Sequence, residues 1–391
     1  MTKQVPQRYK QTPVGVIPED WEVVKLGDVL KIGGGKDYKH LGHGNIPVYG
    51  SGGYMLSVDK FLYDGESACI GRKGTIDKPM FLSGKFWTVD TLFFTHSFKN
   101  TFPQYIYMVF LDIDWLLYNE ASGVPSLTKS AIESIQISLP PITEQEKIVE
   151  VLSTWDGAIT KQEKLIEQKQ QFKKSIMQQI FSQKLRFKDD DGSEYPAWEE
   201  NKLGDLFDYK NGGSFEKHVV DNGTYKLITL NSIDITGILK EEHKTVNITD
   251  NSLNINDLVM VLSDVAHGHF LGLTDIIDAD DYVLNQRMGA LKPKVDISVF
   301  FVKTFINYSQ KYFKLKGQGS SQQNLSKGDI VSFRVNLPCL KEQNKIAEFL
   351  TTIYDEITKQ NEVLAELKLQ KKSLMQKLLT GQVRAWIPDS Y

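Results

Sequence analysis

The segment Lys173-Lys174-Ser175-Ile176-Met177-Gln178 in the middle of the chain returns near its end as Lys371-Lys372-Ser373-Leu374-Met375-Gln376. At the same offset, Leu139-Pro140 with Glu144-Gln145 returns as Leu337-Pro338 with Glu342-Gln343. Upstream, Trp21-Glu22 returns as Trp198-Glu199, but at a shorter offset. The sequence therefore predicts a long internal repeat whose two copies share their ends and differ between them.

Bulk composition indicates a chain of two ordinary domains. A length of 391 residues exceeds what one core usually serves. Lys and Arg number 46 against 49 Asp and Glu, so there is no overall basic field, although local charge placement still decides phosphate contact. Cys69 and Cys339 are far apart and lack Cys or His neighbours at metal-ligand spacing, so we expect neither a disulfide framework nor structural zinc.

Targeting signals are not visible in this sequence. The first ten residues are polar, and no apolar run approaches the ~20 residues that a membrane span requires. We therefore expect a protein of a reducing, cytosolic compartment that neither spans a membrane nor carries a secretion signal.

Each half of the chain predicts a mixed α/β domain, because short β-prone runs punctuated by glycine precede an apolar helical run. The helical runs are Phe102–Glu120 and Ile297–Phe313. The predicted strands are Val29–Ile32, Ile46–Tyr49, Ala68–Ile70, Lys78–Phe81, Phe86–Phe94, Tyr225–Leu230, Leu258–Leu262 and Ala290–Lys292.

A long helix is predicted to follow each α/β segment. Thr143 and Glu146 have the spacing of a capping box, and the first helix would extend to about Arg186. Both helices carry an apolar seam with steps of three and four residues, which favours an antiparallel pair in which the helices pack on each other. The seam residues are Ile148, Leu152, Trp155, Ile159, Ile166, Ile176, Ile180, Ile346, Leu350, Ile353, Ile357, Leu364, Leu374 and Leu378. We expect Trp155 to belong to this core.

Catalytic motifs are not legible in the chain. Gly33-Gly34-Gly35-Lys36 is too short for a P-loop, and no GxSxG, HExxH or Asn/Asp-Pro-Pro-aromatic motif occurs. His40 with His43, and His267 with His269, have no second pair of ligands nearby, so turn or surface histidines are the simpler interpretation. His267 and His269 also suit hydrogen bonding to a base or phosphate.

Glycine-rich polar loops are the more suggestive feature. Asn45–Gly53 and Gly71–Thr75 combine close-approach glycines with Arg, Lys, Ser, Thr and Tyr. In the second half the corresponding segments differ in sequence, and they are Asn231-Ser232, Asp264–His269, Asn285-Gln286-Arg287 and Gly317–Asn324. Such side chains suit contacts to phosphates and base edges, although ordinary turns use the same residues.

Several motifs together resemble the specificity subunits of type I restriction-modification systems. The first half carries Pro18-Glu19-Asp20-Trp21 with Lys25-Leu26-Gly27-Asp28, Ile46-Pro47-x-Tyr49-Gly50-Ser51-Gly52-Gly53 and Ile70-Gly71-Arg72-Lys73-Gly74. Leu139-Pro140-Pro141 with Glu144-Gln145 and the Lys-Lys-Ser-hydrophobic-Met-Gln ends of both helices complete the resemblance, which extends over essentially the whole chain.

The resemblance implies a mixed α/β protein with a pseudo-two-fold internal repeat. Two target-recognition domains would each read one half of a split, asymmetric DNA site, and two conserved helices packed as an antiparallel coiled coil would act as a ruler between them. The implied boundaries are 1–142 for the first recognition domain, 143–187 for the central helix, 188–340 for the second recognition domain, and 341–391 for the C-terminal helix and tail.

The resemblance also implies partners and a division of labour. Two methyltransferase subunits would bind S-adenosylmethionine and methylate adenine, and two restriction subunits would use ATP and Mg²⁺. This chain would carry no cofactor, no metal and no catalysis, and it would act in phage defence in a bacterial or archaeal cytoplasm, associated with the nucleoid. A coiled-coil scaffold that binds no DNA, or a diverged nuclease or methyltransferase, are the alternative interpretations.

The resemblance assigns DNA contact to polar loop residues in both halves. The second half lacks a Gly-Arg-Lys-Gly loop, so its residues follow from analogy alone. The predicted DNA-binding residues are Lys36, Tyr49, Ser51, Gly52, Arg72, Lys73, Thr75, Asn231, Ser232, His267, His269, Asn285, Gln286, Arg287 and Gln322.

Overall fold

A computed structural model describes residues 6–250, 253–265, 268–319 and 322–385. The chain divides into two compact units. The first unit is formed by Met1–Leu165 together with Gln360–Tyr391, and the second unit is Ile166–Lys359. Each unit therefore combines one α/β body with part of each of the two long helices.

The first α/β body contains twelve strands and three short helices in its described part. The strands are β1 (Tyr9–Thr12), β2 (Gly15–Pro18), β3 (Glu22–Lys25), β4 (Lys31–Gly34), β5 (His43–Gly50), β6 (Gly53–Val58), β7 (Tyr63–Asp64), β8 (Ser67–Gly71), β9 (Met80–Leu82), β10 (Lys85–Thr88), β11 (Leu92–His96) and β12 (Gln136–Leu139). The helices are α1 (Leu26–Val29), α2 (Pro103–Asp112) and α3 (Lys129–Ser134).

The first long helix is α4 (Ile142–Phe181), and the second α/β body follows it. The strands of that body are β13 (Glu199–Lys202), β14 (Phe207–Asn211), β15 (Val219–Val220), β16 (Tyr225–Ile228), β17 (Lys244–Val246), β18 (Leu258–Val261), β19 (Ser263–Val265), β20 (Thr274–Ile276), β21 (Tyr282–Leu284), β22 (Met288–Pro293), β23 (Gln322–Asn324) and β24 (Arg334–Leu337). The remaining helices are α5 (Leu203–Leu206), α6 (Val299–Tyr308), α7 (Gln310–Lys316), α8 (Lys327–Val331) and the second long helix α9 (Leu340–Leu379).

The two bodies share most of their sheet topology, although their second sheets differ at one edge, where β7 pairs with β10 in the first body and β15 pairs with β17 in the second. The sheet β4-β11-β8-β9 of the first body corresponds to β14-β22-β18-β20 of the second. Both bodies contain a parallel pair of strands, which is β5 with β10 in the first and β16 with β21 in the second. A two-stranded ladder next to a long helix also recurs, as β3-β12 and β13-β24. The repeat inferred from the sequence ends thus extends through the interior of both bodies, and the mixed α/β class is confirmed.

The long helices are antiparallel, as contacts inside each unit show. In the first unit Lys371 pairs with Asp156 at 2.5 Å and Lys368 pairs with Glu163 at 2.7 Å. In the second unit Lys169 pairs with Glu356, and the Lys173 ammonium lies 4.2 Å from the centre of the Tyr354 ring. Rising numbers in α4 therefore meet falling numbers in α9. Each helix has 40 residues, or about 60 Å of length.

Each apolar core includes residues from both helices. The core of the first unit contains Ile148 and Leu152 of α4 and Leu378 of α9. The core of the second unit contains Ile180 of α4 and, among others, Ile346 of α9. Because each body packs on the start of one helix and the end of the other, burial of apolar surface stabilises the antiparallel orientation.

The start and end of α4 differ from the sequence expectation. The amides of Glu144 and Gln145 both donate to the Pro141 carbonyl, so the helix begins at Ile142 and Thr143 lies in its first turn. A cap must precede the helix, and the predicted capping box at Thr143 is therefore wrong. The helix ends at Phe181, before the predicted Arg186, because Gln183 adopts a positive φ of 60° that turns the chain.

Two predicted helical runs and one predicted strand are interrupted. The run from Phe102 ends at Asp112 and is followed by a 3₁₀ turn at Trp115–Tyr118, and the second run breaks at Ser309 between α6 and α7. The apolar run Phe86–Phe94 was expected to form one strand, but it forms β10 and β11 with a turn between them. That turn lies at the candidate site.

Candidate nucleic-acid interface

Three loops of the first unit converge on Thr91. The amides of Arg72 and Lys73 donate to the Thr91 carbonyl at 2.8 and 3.3 Å. The Ser51 amide donates to the Thr91 hydroxyl at 3.4 Å, and the Ser51 hydroxyl donates to the Lys73 carbonyl at 2.8 Å. The predicted residues Ser51, Arg72 and Lys73 are thus brought together by a threonine that sequence reasoning did not select.

Two clefts lie on either side of the turn at Asp90 and Thr91. One has a volume of about 710 Å³ and is lined in part by Ser51, Gly52 and Tyr54. The other has a volume of about 700 Å³ and is lined in part by Arg72, Lys73 and Lys129, with Asp90 and Thr91 shared by both clefts.

Free positive charge characterises the second of these clefts. Arg72, Lys73 and Lys129 are exposed, and the Arg72 guanidinium lies 5.8 Å from the centre of the Phe93 ring. Within the described residues, no carboxylate lies within 4.0 Å of the Arg72 or Lys73 charge. Unpaired cations beside loop amides suit contact with phosphate oxygens, and an arginine fork also matches the edge of guanine.

Three other predicted residues of the first unit lie outside the linings of these clefts. Lys36 is exposed, and its carbonyl accepts a hydrogen bond from the Trp87 indole at 2.8 Å. Tyr49 is half-buried with its ring 6.1 Å from that of Tyr54, and Thr75 is half-buried. Tyr49 and Thr75 therefore present less surface to a ligand than the exposed residues Arg72 and Lys73 do.

A smaller cleft of about 300 Å³ occurs in the second unit. It is lined by Asn231, Asn285, Gln286 and Arg287, together with residues that include Glu216. Asn231, Gln286 and Arg287 are exposed. The structure thus brings four of the residues predicted for this half into one concave surface.

Two predicted residues at or near this cleft, one with an amide side chain and one with a hydroxyl, have buried side chains. Asn285 is 4% exposed, accepts from the Phe215 amide at 3.0 Å and donates to the Glu216 carboxylate at 2.9 Å. Ser232 is 3% exposed, and its hydroxyl accepts from the Thr229 amide at 2.9 Å. These two residues position the loops that carry their exposed neighbours.

The remaining predicted contacts of the second unit lie elsewhere. Gln322 is on β23, where its amide donates to the Ser263 hydroxyl at 3.0 Å, and it does not line the Arg287 cleft. His269 is exposed, and its carbonyl accepts from Gln310 at 2.6 Å. His267 lies outside the described residues. Across the described parts of the chain, no group of three or more His, Cys, Asp or Glu residues is arranged to hold a metal ion.

Both predicted seams are partly buried. Trp155 was predicted to belong to the core, but it is half-buried and lies in none of the buried apolar clusters described above. The buried seam residues are Ile148, Leu152, Ile166, Ile180, Ile346, Leu350, Ile353, Ile357 and Leu378. The half-buried seam residues are Trp155, Ile159, Ile176, Leu364 and Leu374.

A buried acid–arginine–tryptophan cluster joins each body to its helices. In the first unit the Glu144 carboxylate, 1% exposed, accepts from the Trp21 indole at 2.9 Å and from Arg384 at 2.8 Å. In the second unit Glu342, 0% exposed, accepts from the Trp198 indole at 3.1 Å and from Arg186 at 2.7 Å. The repeated Trp-Glu and Glu-Gln motifs of the sequence thus mark equivalent junctions.

Ionisation at these junctions follows from the same contacts. The hydrogen bond that Arg186 donates to Glu342 raises the pKa of Arg186, and the one that Arg384 donates to Glu144 raises the pKa of Arg384, so both guanidinium groups stay charged. The two arginines follow α4 and α9 respectively. Charged, bidentate pairing therefore fixes the end of one helix to the beginning of the other.

Together these features define a repeated two-unit α/β protein in which variable polar clefts are built on a shared framework. The sequence matches the family model of the type I restriction modification DNA specificity domain over residues 18–168 and 196–369. The chain belongs to this family.

Relatives of similar length agree with this assignment. The type I restriction enzyme MjaVIII specificity subunit of Methanocaldococcus jannaschii is 27% identical over 94% of each chain. The putative MjaX specificity subunit of the same organism is 24% identical over 97% of each chain. The solved S subunit of a type I restriction-modification system from M. genitalium has a TM-score of 0.59 and 16% identity, covering 92% of this chain and 96% of that one.

A second solved chain supports the fold. It comes from structural work on complex assembly and conformational transition of the type I R-M system, with a TM-score of 0.60 and 15% identity over 94% of this chain and 99% of that chain. At this level of identity the likeness establishes the fold alone.

Proposed function

We propose that this chain is the specificity subunit of a type I restriction-modification complex and reads a bipartite, asymmetric DNA site. Each α/β body acts as a target-recognition domain for one half-site. The observation that carries the proposal is that the two bodies share their main sheet and their parallel strand pair while exposing different polar side chains from their clefts. Two bodies with a common backbone framework and different exposed polar side chains are suited to recognise two unrelated half-sites.

Local charge supports DNA as the ligand despite a formal net charge of −3. Arg72, Lys73 and Lys129 surround one cleft of the first unit, and Arg287 and Lys244 border the cleft of the second. Phosphate contacts from these cations would set the register of each body, and arginine and amide groups would read base edges. Partner subunits would add further contacts.

The long helices are proposed to dock two methyltransferase subunits. Exposed apolar residues recur at equivalent positions of the repeat, with Val151 of α4 matching Phe349 of α9, each 36% exposed. Leu165 and Val363 form a second equivalent pair that is also exposed. Repeated apolar positions offer two similar surfaces to two copies of one partner. Two restriction subunits would join the complex through these partners.

Methylation and cleavage are assigned to the partners. S-adenosylmethionine, ATP and Mg²⁺ would be bound there, and this chain would contribute recognition and assembly without a cofactor of its own. We place the complex in the cytoplasm, at the nucleoid. Among the described residues, no helix combines the length and the apolar character needed to cross a bilayer.

The test is half-site selectivity in the complex reconstituted with its methyltransferase. Arg72→Ala should relax selection at one half-site of a randomised duplex pool, and Arg287→Ala should relax selection at the other. Arg334→Ala, on an exposed arginine of β24, is the matched control and should leave both unchanged. Equal loss on all sequences would mark phosphate contacts only.

The alternative functions give different results in the same system. A coiled-coil scaffold would retain no bipartite duplex, even when assembled with the methyltransferase. A diverged nuclease or methyltransferase would cleave or methylate DNA as the purified chain alone. Either result would overturn the proposal.

A further inference from the structure

The turn Val89-Asp90-Thr91 of the first unit corresponds to Asn285-Gln286-Arg287 of the second. Each turn follows the strand of the parallel pair, β10 in one body and β21 in the other. The Val89 amide donates to the Tyr49 carbonyl at 2.9 Å, and the Asn285 amide donates to the Ile228 carbonyl at 3.0 Å. The first residues of both turns are therefore anchored in the same way.

The third residues of the turns are anchored alike as well. The Thr91 carbonyl accepts from the Arg72 amide at 2.8 Å, and the Arg287 carbonyl accepts from the Leu262 amide at 2.9 Å. Arg72 and Leu262 thus occupy equivalent positions, one residue beyond β8 and β18. The arginine is therefore Arg72, on the loop after β8, in the first unit, whereas in the second unit it is Arg287, on the turn after β21.

A close glycine contact completes the correspondence. A Cβ on Gly35 would lie 1.9 Å from the Val89 carbonyl oxygen, and a Cβ on Gly212 would lie 1.9 Å from that of Asn285. No other residue type fits so close to a backbone oxygen, so glycine is required under both turns. Backbone geometry at this turn is therefore held constant while its side chains change.

The middle residues of the turns, Asp90 and Gln286, are the exposed variable positions on this framework. Asp90 lines both clefts of the first unit, and Gln286 lines the cleft of the second. No side-chain hydrogen bond or ion pair of Asp90 occurs within the described structure. A free carboxylate in a DNA cleft repels phosphates, so its presence needs a compensating contact.

A base edge would supply such a contact. Carboxylates accept from the 4-amino group of cytosine, and the amide of Gln bonds both the N6 and N7 atoms of adenine. The Arg72 guanidinium approaches the Asp90 carbonyl at 3.5 Å, so a guanine-matching fork lies next to the carboxylate. We propose that Asp90 reads cytosine in the half-site of the first unit and that Gln286 is its adenine-reading counterpart in the second. This inference rests on the proposed function.

The experiment maps modified bases in cells that express the chain with its methyltransferase. Asp90→Ala should lower the preference for cytosine at one position of one half-site by roughly 5- to 150-fold, and Asp90→Asn should shift that position toward adenine. Gln286→Ala should relax one adenine of the other half-site. Asp90 is exposed, and its side chain has no hydrogen bond or ion pair among the described residues, so these variants should fold.

A matched acid outside the clefts separates base reading from a general change of charge. Asp64 is exposed on β7 and lines neither cleft, and Asp64→Asn should leave the recognised bases unchanged. Identical motifs for the wild type and both Asp90 variants would overturn the inference, as would the same shift in Asp64→Asn. Failure of the proposed function would look different, because the wild-type complex itself would then modify no split motif.

Discussion

Gln162 and Gln360 occupy equivalent positions of the repeat, 198 residues apart, and they bond to each other. The Gln162 amide nitrogen donates to the Gln360 side-chain oxygen at 2.8 Å and to its carbonyl at 2.9 Å. Both residues are half-buried on α4 and α9. A polar pair between apolar helix positions fixes register, because any slip leaves an amide unpaired.

Replacing one member of this pair should cost more than replacing both. Gln162→Leu leaves the side-chain amide of Gln360 without its hydrogen-bond partner and should lower the free energy of unfolding by about 1–3 kcal/mol. The double variant Gln162→Leu with Gln360→Leu should recover most of that loss. Thermal unfolding of the two single variants and the double variant measures this coupling. Additive losses would argue that the pair does not act as a unit.

The buried junction of the second unit should be far more sensitive than a surface ion pair. Arg186→Ala leaves the Glu342 carboxylate, 0% exposed, without its cation and should cost about 3–5 kcal/mol of unfolding free energy. Arg334→Ala, which removes the exposed pair with Glu200, should cost less than about 1 kcal/mol. Denaturant unfolding compares the two variants, and similar losses would refute the role given to burial.

Substitutions in the turns that end the two long helices should change stability in opposite directions. Gln183 and Gly381 are equivalent, with φ of 60° and 70°. Gln183→Gly should raise stability by about 1 kcal/mol, because it relieves left-handed strain. Gly381→Ala should lower stability, since its Cβ would lie 2.4 Å from the Pro18 ring. Melting temperatures that move in the same direction for both variants would contradict this.

Acidification should weaken the second unit through His243. Burial lowers the pKa of His243 below its usual 6.5, so the unfolded chain binds this proton more readily than the folded one. The contribution of neutral His243 to the free energy of unfolding should therefore be complete above about pH 6.5. It should decrease as the pH falls from there toward the pKa of His243 in the folded chain. His243→Gln should flatten this dependence between pH 8 and 5.5, while the exposed control His218→Gln should not. Parallel pH curves for all three proteins would count against it.

Sequence periodicity was enough to predict the repeat and the paired helices, because both features are local patterns copied along the chain. The buried acids Glu144 and Glu342 were visible only as a repeated motif. Their burial depends on Arg384 and Arg186, which arrive from the end of the other helix. The local sequence pattern does not distinguish a buried carboxylate, whose cation comes from a distant part of the chain, from a solvent-exposed one.

The DNA contacts assigned from the sequence stay a prediction. Ser51, Arg72, Lys73 and Arg287 line clefts, and their place in loops was readable from the sequence, since polar residues between strands are confined to loops. Asp90 was missed because the apolar run around it reads as one strand, with only a single charge to mark the turn. Asn285 and Gln286 are both amides, yet one is buried and the other exposed, a difference that tertiary packing alone decides.

DNA recognition by this chain is tested by mapping the modified bases in a host that expresses it with its neighbouring methyltransferase. We expect methylated adenines in one split, asymmetric motif, whose two halves respond separately to changes in the first and second units. An assembled, active complex that methylates no split motif would contradict the assignment of DNA recognition to this chain.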